Sequence, residues 1–345
     1  MLIREQADLG DRLGLKGKDM FCGLGGFTLA MERVGIDVTL AVNHWPLAID
    51  VHAANHPNTE HLQRNLLGFK FAELDPFDIL TAGVACQPHS DAGQIGRAAS
   101  KKVFDSHAQM RATAWAVWKC AQVCRPKYLV VENVRGFIRW RDLQRWLAAL
   151  RKLGYAVTQQ FLCASRFGLP QRRWRWFFIA VLGGPPVQMI NPDVPEPGVG
   201  TIFDASAPGW IDIDDLSDFK SEKAIEKGYL SPREKARYAN ERLDGELGVG
   251  QHTNYGYWGI PESEPVNTVT GQAGQLWWTC NGKYRLWTRN EVKRAQGIPD
   301  SYNMLDANER EAAKLIGNAV PIDLAMAVIL AATGRGDPSH LAQAN

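Results

Sequence analysis

Residues 17–45, GKDMFCGLGGFTLAMERVGIDVTLAVNHW, read as strand, glycine-rich turn, helix and strand. GKDMFC reads as a strand, a helix follows near FTLAMERVG, and DVTLAVN is the next strand. Glycines at 23, 25 and 26 let the backbone turn tightly and let a ligand approach it closely. The alternation continues outward from this unit. A helical pattern lies at 47–56, a strand at 77–83 (FDILTAG) and a long helical pattern at 106–124, with Met110, Ala114, Val117 and Ala121 on one stripe. Then come a buried-type strand at 127–133 (KYLVVEN), an amphipathic helix at 141–154 ended by Gly154, and β-runs at 155–164 and 174–182. Such alternation predicts an α/β fold with a doubly wound, mostly parallel sheet.

The character changes at 183–200, GGPPVQMINPDVPEPGVG, where proline and glycine crowd together. Residues 186–285 lack βα alternation and are expected to form a second, smaller unit. Helical patterns return at 288–297 and 323–334. The expected division is 1–185, 186–285, a returning segment 286–335, and a tail 336–345.

Composition bounds the rest. With 45% hydrophobic and 22% charged residues and a net charge of +2, the chain has ordinary globular character. No unbroken run of about 18 apolar residues predicts a membrane span. The charged start, MLIREQADLGDRLGLKGKD, lacks an export core, so a cytoplasmic protein is expected. Six cysteines without metal-ligand spacing are expected as reduced thiols, and no metal site is expected. Basic clusters stand at Arg135, Arg139 and Arg141 and at Arg172, Arg173 and Arg175.

Ligands of a parallel sheet gather at the carboxyl ends of its strands. Four loops should meet there: Phe21–Gly26, Asn43–Trp45, Ala85–Gln87 and Glu132–Asn133. The second strand's end usually reaches a ribose, and Trp45 offers a stacking surface. Cys86 follows a strand in a loop with Gly83, Gln87, Pro88 and Ser90, where a thiol is open to attack. The glycine spacing is not G-x-G-x-x-G, which disfavours a nicotinamide dehydrogenase. The convergence points to a thiol-dependent enzyme with a nucleoside-bearing cofactor.

In order and wording these motifs resemble the cytosine-5 DNA methyltransferase family of bacterial or phage type. DMFCGLGGF (19–27) is similar to its cofactor loop, and Ala85-Cys86-Gln87 to its catalytic Pro-Cys-Gln. Glu132-Asn133-Val134 matches its ENV signature, and Gln171 to Arg175 its Q-x-R-x-R. Arg285 to Arg289 with Gln296 to Asp300 resembles its penultimate segment, and Ile316 to Pro321 its closing I-G-N-x-V-P. The likeness runs from about residue 17 to 330.

The resemblance implies a Rossmann-like methyltransferase sheet with a target-recognition domain. It also implies S-adenosylmethionine as methyl donor and a cytosine flipped out of double-stranded DNA as substrate. Cys86 would be the nucleophile and Glu132 the acid at N3. Asn133 would hold the base or the loop, Arg173 would fix the catalytic loop, and Arg175 would bind O2 or a phosphate. The cofactor would meet Phe21, Cys22, Gly23, Gly25, Gly26, His44, Trp45, Asn65, Asn318 and Val320. Gln87, Ser90, Gln94 and Gln171 would meet the substrate. Residues 90–105, with Arg97, Lys101 and Lys102, read as a lid. Candidate DNA contacts in the variable unit are Arg233, Lys235, Arg237, Gln251, Asn254, Gln272 and Gln275. The enzyme is expected to be monomeric.

Three positions depart from the family's usual form: Ala85 for proline, His44 for an acidic ribose ligand, and Asn65 for an aspartate at the adenine. They bear on the cofactor more than on the base. The competing readings are another one-carbon transfer to C5, such as hydroxymethylation, a non-catalytic DNA-binding relative, and an RNA substrate.

Overall fold

The computed structural model describes residues 14–84, 101–188, 192, 195–220, 229–253, 256–272 and 274–335, with side chains undescribed from 101 to 112. Cys86, with Ala85, Gln87, Ser90 and Gln94, lies outside the described residues, as do Asn254 and the tail 336–345.

The chain opens with β1 (Lys16–Met20), α1 (Gly26–Arg33), β2 (Asp37–Asn43), α2 (Pro46–Asn55), β3 (Glu60–Gln63) and β4 (Ile79–Gly83). It continues with α3 (Lys101–Cys124), β5 (Tyr128–Val134), α4 (Leu143–Lys152), β6 (Tyr155–Cys163), β7 (Gln171–Arg172) and β8 (Trp174–Leu182). Seven of these strands make one sheet in the order β3-β2-β1-β4-β5-β8-β6. The first five run parallel, and β8 alone is reversed against its neighbours β5 and β6. The chain leaves β1 toward β2 and returns on the other side at β4, so a crevice opens above β1 and β4.

Burial explains the composition of each strand. β5 and β8 are covered on both faces and are nearly all apolar, whereas the edge strand β3, EHLQ, is short and polar. That polarity hides β3 from any reading of hydrophobic pattern.

One face of the sheet is covered by α1 and by the C-terminal α8 (Ile322–Thr333), which packs against α1, β5 and β8. The other is covered by α3 and α4, with Trp146, Trp176 and Phe178 at its centre. An apolar stretch at Glu309–Thr333 is long enough by composition to cross a membrane, but 83% of its most apolar window is buried inside the protein. It is two helices, α7 (Glu309–Asn318) and α8, separated at Ala319–Pro321.

A second sheet has the antiparallel order β11-β10-β13-β14-β9: β9 (Ile211–Asp212), β10 (Gly248–Thr253), β11 (Gly256–Pro261), β13 (Leu276–Cys280) and β14 (Lys283–Leu286). Helix α5 (Pro232–Arg242) covers one face, started by a capping box of Ser231 and Glu234. The other face packs Trp278, Val249 and Ile260 against Trp287 and Ala295, so α6 (Arg289–Ala295) shares this core.

The two sheets are joined by a seam. The short strand β12 (Val266–Asn267) pairs in parallel with β7. Beyond it, a Cβ on Gly317 would lie 2.3 Å from the backbone of Thr270 and Gly271. Here α7 and the loop touch backbone to backbone, and only glycine fits.

Candidate active site

The carboxyl edge of β1 turns through Phe21 (φ +60°), Gly23 (φ +57°) and Gly25 (φ +105°). The three glycines of this turn do different things. A side chain at Gly25 would strike His56 Nε2 and the Tyr302 hydroxyl, each 2.8 Å away. One at Gly26 would strike the Val320 carbonyl at 2.9 Å. Gly23 alone faces open space. Gly25, Gly26 and Val320 therefore shape the loop from behind, and Gly23 offers the face a ligand can approach. Cys22, expected at the cofactor, holds the turn from inside. It is buried, its N–H donates to the Val42 carbonyl, and its carbonyl accepts from the Gly25 N–H. Burial pushes its thiol well above the ordinary range, so the thiol is inert.

Beneath the loop runs a chain of buried polar groups that sequence reasoning did not assign. Asp19, fully buried, accepts hydrogen bonds from Thr28 (2.9 Å) and Thr81 (3.0 Å). Thr28 also meets His52, whose other ring nitrogen meets His61 at 2.8 Å. Burial raises the Asp19 carboxyl to about 7, against the opposing hydrogen bonds. Burial, with His56 and His61, lowers His52 to about 2. A parallel chain links Glu32, His56 and Tyr302, whose hydroxyl donates to the Leu24 carbonyl inside the loop. Alternating apolar strands carry no sign of such partners.

The ligand side of this half is open. His44, Asn65 and Asn318 are exposed, and Trp45 is half-buried against the core. His44 and Asn318 make no side-chain hydrogen bond among the described residues, while the Asn65 carbonyl oxygen accepts the Leu67 N–H at 2.9 Å. One face of the Trp45 ring carries the Lys314 ammonium at 4.4 Å from its centroid.

The residues expected at the base stand on β5 and β8. Glu132 Oε1 lies 2.7 Å from Arg175 Nε, with the two residues 9% and 8% exposed. Burial raises the Glu132 carboxyl above its ordinary value, while Arg175 and Arg173 pull it down. Asn133, fully buried, donates to the Val84 carbonyl at 3.1 Å and accepts the Val134 N–H at 2.8 Å. It thus pins the last described residue before the segment carrying Cys86. The Arg173 guanidinium donates to three carbonyls, those of Val269, Gly317 and Ala319. Those bonds fix the seam between the two sheets. Gln171, expected at the substrate, is fully buried instead. Its amide bonds Val269, Ala295 and Gln296, so it too is part of the seam.

Among the candidate DNA contacts, Gln251 is likewise buried, holding Asn267 and Thr268. Arg233 and Arg237 are ion-paired to Asp218 and Asp214. Gln272, Gln275 and Thr270 form an exposed hydrogen-bonded chain. They line a cavity of about 310 Å³ with Trp287, Arg289 and Val292. No group of three or more potential metal ligands occurs among the described residues.

Comparison with known proteins agrees with this geometry. The family model described as C-5 cytosine-specific DNA methylase matches residues 15–333. The chain is 30% identical over 325 residues to the type II methyltransferase M.NlaX of Neisseria lactamica, covering 90% of this chain and 93% of that protein. It is 25% identical over 331 residues to M.NgoPII of Neisseria gonorrhoeae, at 90% and 93% coverage. In fold it is similar to Schizosaccharomyces pombe Dnmt2 methyltransferase, with a TM-score of 0.63 and 16% identity, covering 93% of this chain and 99% of the other. A putative DNA modification methyltransferase encoded within an Escherichia coli prophage gives a TM-score of 0.59 at 20% identity, with 93% and 99% coverage.

Proposed function

The chain belongs to the C-5 cytosine-specific DNA methylase family and methylates C5 of cytosine in DNA; on that premise we propose that it works through a covalent adduct between Cys86 and C6 of the base. Cytosine C5 is a poor nucleophile while the ring is aromatic. Addition of the Cys86 thiolate to C6 breaks that aromaticity and makes C5 enamine-like. Negative charge then builds toward N3. Glu132, raised by burial, supplies the proton there, and Arg175 holds its carboxyl in place. Once C5 carries the methyl group, its proton leaves to water and the Cys86–C6 bond breaks, restoring the ring.

S-adenosylmethionine supplies the methyl group as an electrophile. The open face of Gly23, the half-buried Trp45, and the exposed His44, Asn65 and Asn318 at one strand edge suit a nucleoside ligand. The substrate is double-stranded DNA with the target base flipped out, since C6 and N3 cannot be reached inside a stack. The enzyme acts as a monomer in the cytoplasm, marking DNA as its type II relatives' names imply.

The observation that carries this reading is the buried Glu132–Arg175 pair beside Asn133, which anchors the strand end leading to Cys86. Duplex DNA with 5-fluorocytosine at the target should trap a covalent complex, because fluorine cannot leave as the proton does. Cys86→Ala should trap none and should lose turnover while still binding DNA. Normal turnover in Cys86→Ala would remove the covalent mechanism. Product mass separates methyl from hydroxymethyl transfer.

A further inference from the structure

On the small sheet, four side chains from three segments gather at one place. His252 on β10 and Tyr257 on β11 face each other across the strand pair, their rings stacked at 4.6 Å and 16°. Lys235, from α5, holds its ammonium 5.4 Å from the centre of the Tyr257 ring. Tyr229 stands edge-on to His252 at 6.3 Å and is 44% exposed.

The charges around this cluster are unequal in a telling way. Arg233, Arg237 and Lys220 are each matched by a carboxylate, from Asp218, Asp214 and Glu234, at 2.8, 2.5 and 2.7 Å. Lys235 has no ion pair and no hydrogen bond among the described residues. It is nonetheless half-buried, and burial lowers its affinity for a proton. A cation kept partly out of water, with no counter-charge among the described residues, is costly, and a bound anion relieves that cost. His252 is also without a side-chain hydrogen bond among the described residues. Burial and Lys235 hold its pKa below the ordinary range, so at neutral pH it offers one ring N–H without added charge.

We propose that Lys235, His252, Tyr257 and Tyr229 form a binding site for a backbone phosphate of the DNA substrate. The inference rests on the DNA methylation activity but concerns a contact remote from the reacting base. Three features favour a polynucleotide phosphate over a small free anion. The cation is bordered by the Tyr257, His252 and Tyr229 rings, and a positive charge beside aromatic rings suits a nucleotide better than a bare anion. The cluster sits at the end of the sheet where the His252 N–H bonds the Gln275 carbonyl. Through that bond it is continuous with the 270–275 loop, which abuts α7 beside the crevice.

A phosphate contact has a readout that a merely structural role would not move. Each contact adds about 0.9 to the slope of log affinity against log salt for B-form DNA. The test uses the full chain and a mixed-sequence 30-base-pair duplex, titrated across sodium chloride concentrations. Lys235→Gln should weaken binding about fivefold at moderate salt and flatten the slope by about one. Lys235→Arg should restore the slope, and Lys283→Gln, an exposed lysine elsewhere on the sheet, should leave it unchanged. An unchanged slope in Lys235→Gln overturns the proposal. So does a loss confined to one base sequence, which would mean base readout. Inorganic phosphate binding that needs Lys235, with an unchanged DNA slope, would assign the site to a free anion and also overturn it. Wild type that fails to bind duplex at all would sink the DNA-substrate reading itself.

Discussion

On the base side of the crevice, Glu132, Asn133, Arg173 and Arg175 are all at least nine-tenths buried, and each is held by a described hydrogen bond or ion pair. On the cofactor side, His44, Asn65 and Asn318 stand exposed around the open face of Gly23, while the holding is done from beneath by Asp19, His56 and Tyr302. The difference shows where geometry is fixed before any ligand arrives. Groups that stabilise developing charge must be preorganised in a low dielectric. Groups that only recognise a nucleoside can stay in water and adjust. The departures His44 and Asn65 are both exposed, and on the proposed reading a changed partner there alters affinity rather than chemistry.

The contrast can be broken first at Glu132. Glu132→Gln should slow methyl transfer about 100-fold or more, the usual order for a positioned acid, with cofactor affinity unmoved. Single-turnover rates and calorimetric titration measure the two separately. A rate within about twofold of wild type would mean that the base half is not set up for proton donation.

The cofactor half gives smaller numbers. Trp45→Ala should weaken S-adenosylmethionine binding roughly tenfold, about 1.4 kcal/mol, because it removes the stacking surface. Asn65→Ala should stay within about threefold, since its side chain is exposed and already turned to the Leu67 N–H. Equal losses in the two variants would mean that the exposed residues, not the indole, carry the nucleoside.

The smallest effect concerns what lies beneath the loop. The Asp19 carboxyl titrates near 7 in the fold against an ordinary value of 3.8, so the folded state favours its neutral form. Its contribution to stability is fully present below about 4 and is lost as pH rises through about 7. Thermal midpoints of wild type should therefore fall between pH 5 and pH 8 by a few degrees more than those of Asp19→Asn. Parallel curves for the two proteins would show that Asp19 is ionised throughout.

Much of this was legible in the sequence, for physical reasons. Strands β2, β4, β5 and β8 are largely buried and leave mostly apolar runs, β1 (KGKDM) is polar in type and is marked by the glycine turn that follows it, and that turn and the Glu132–Asn133 pair are local patterns. Strand β3 was missed because an edge strand needs no apolar face, and α7 because its capping box at Asn308 and Glu311 follows a turn-rich stretch. Gln171 and Gln251, expected at the substrate and the DNA, are both buried. Their type suits DNA contact, and nothing local reveals that each is buried among backbone groups from segments about 100 and 16 residues away. Lys314 over Trp45 and Tyr302 under Gly25 are likewise products of long-range packing.

The seam at Gly271 and Gly317 has a bearing on how such enzymes are rebuilt. A side chain at Gly317 would sit 2.3 Å from the facing backbone, and one at Gly271 would sit 3.1 Å from Lys314. Two chain segments, the 270–271 loop and α7, therefore share a single fitted joint. The β7–β12 pairing and the three carbonyls held by Arg173 extend that joint across both sheets. A hybrid that exchanges the insert but cuts between 266 and 280 would mate a foreign half-joint to a native one. Cutting before Val266 keeps both halves of that joint from the same parent and moves the mismatch to the β10–β13 ladder, where backbone hydrogen bonds carry most of the pairing.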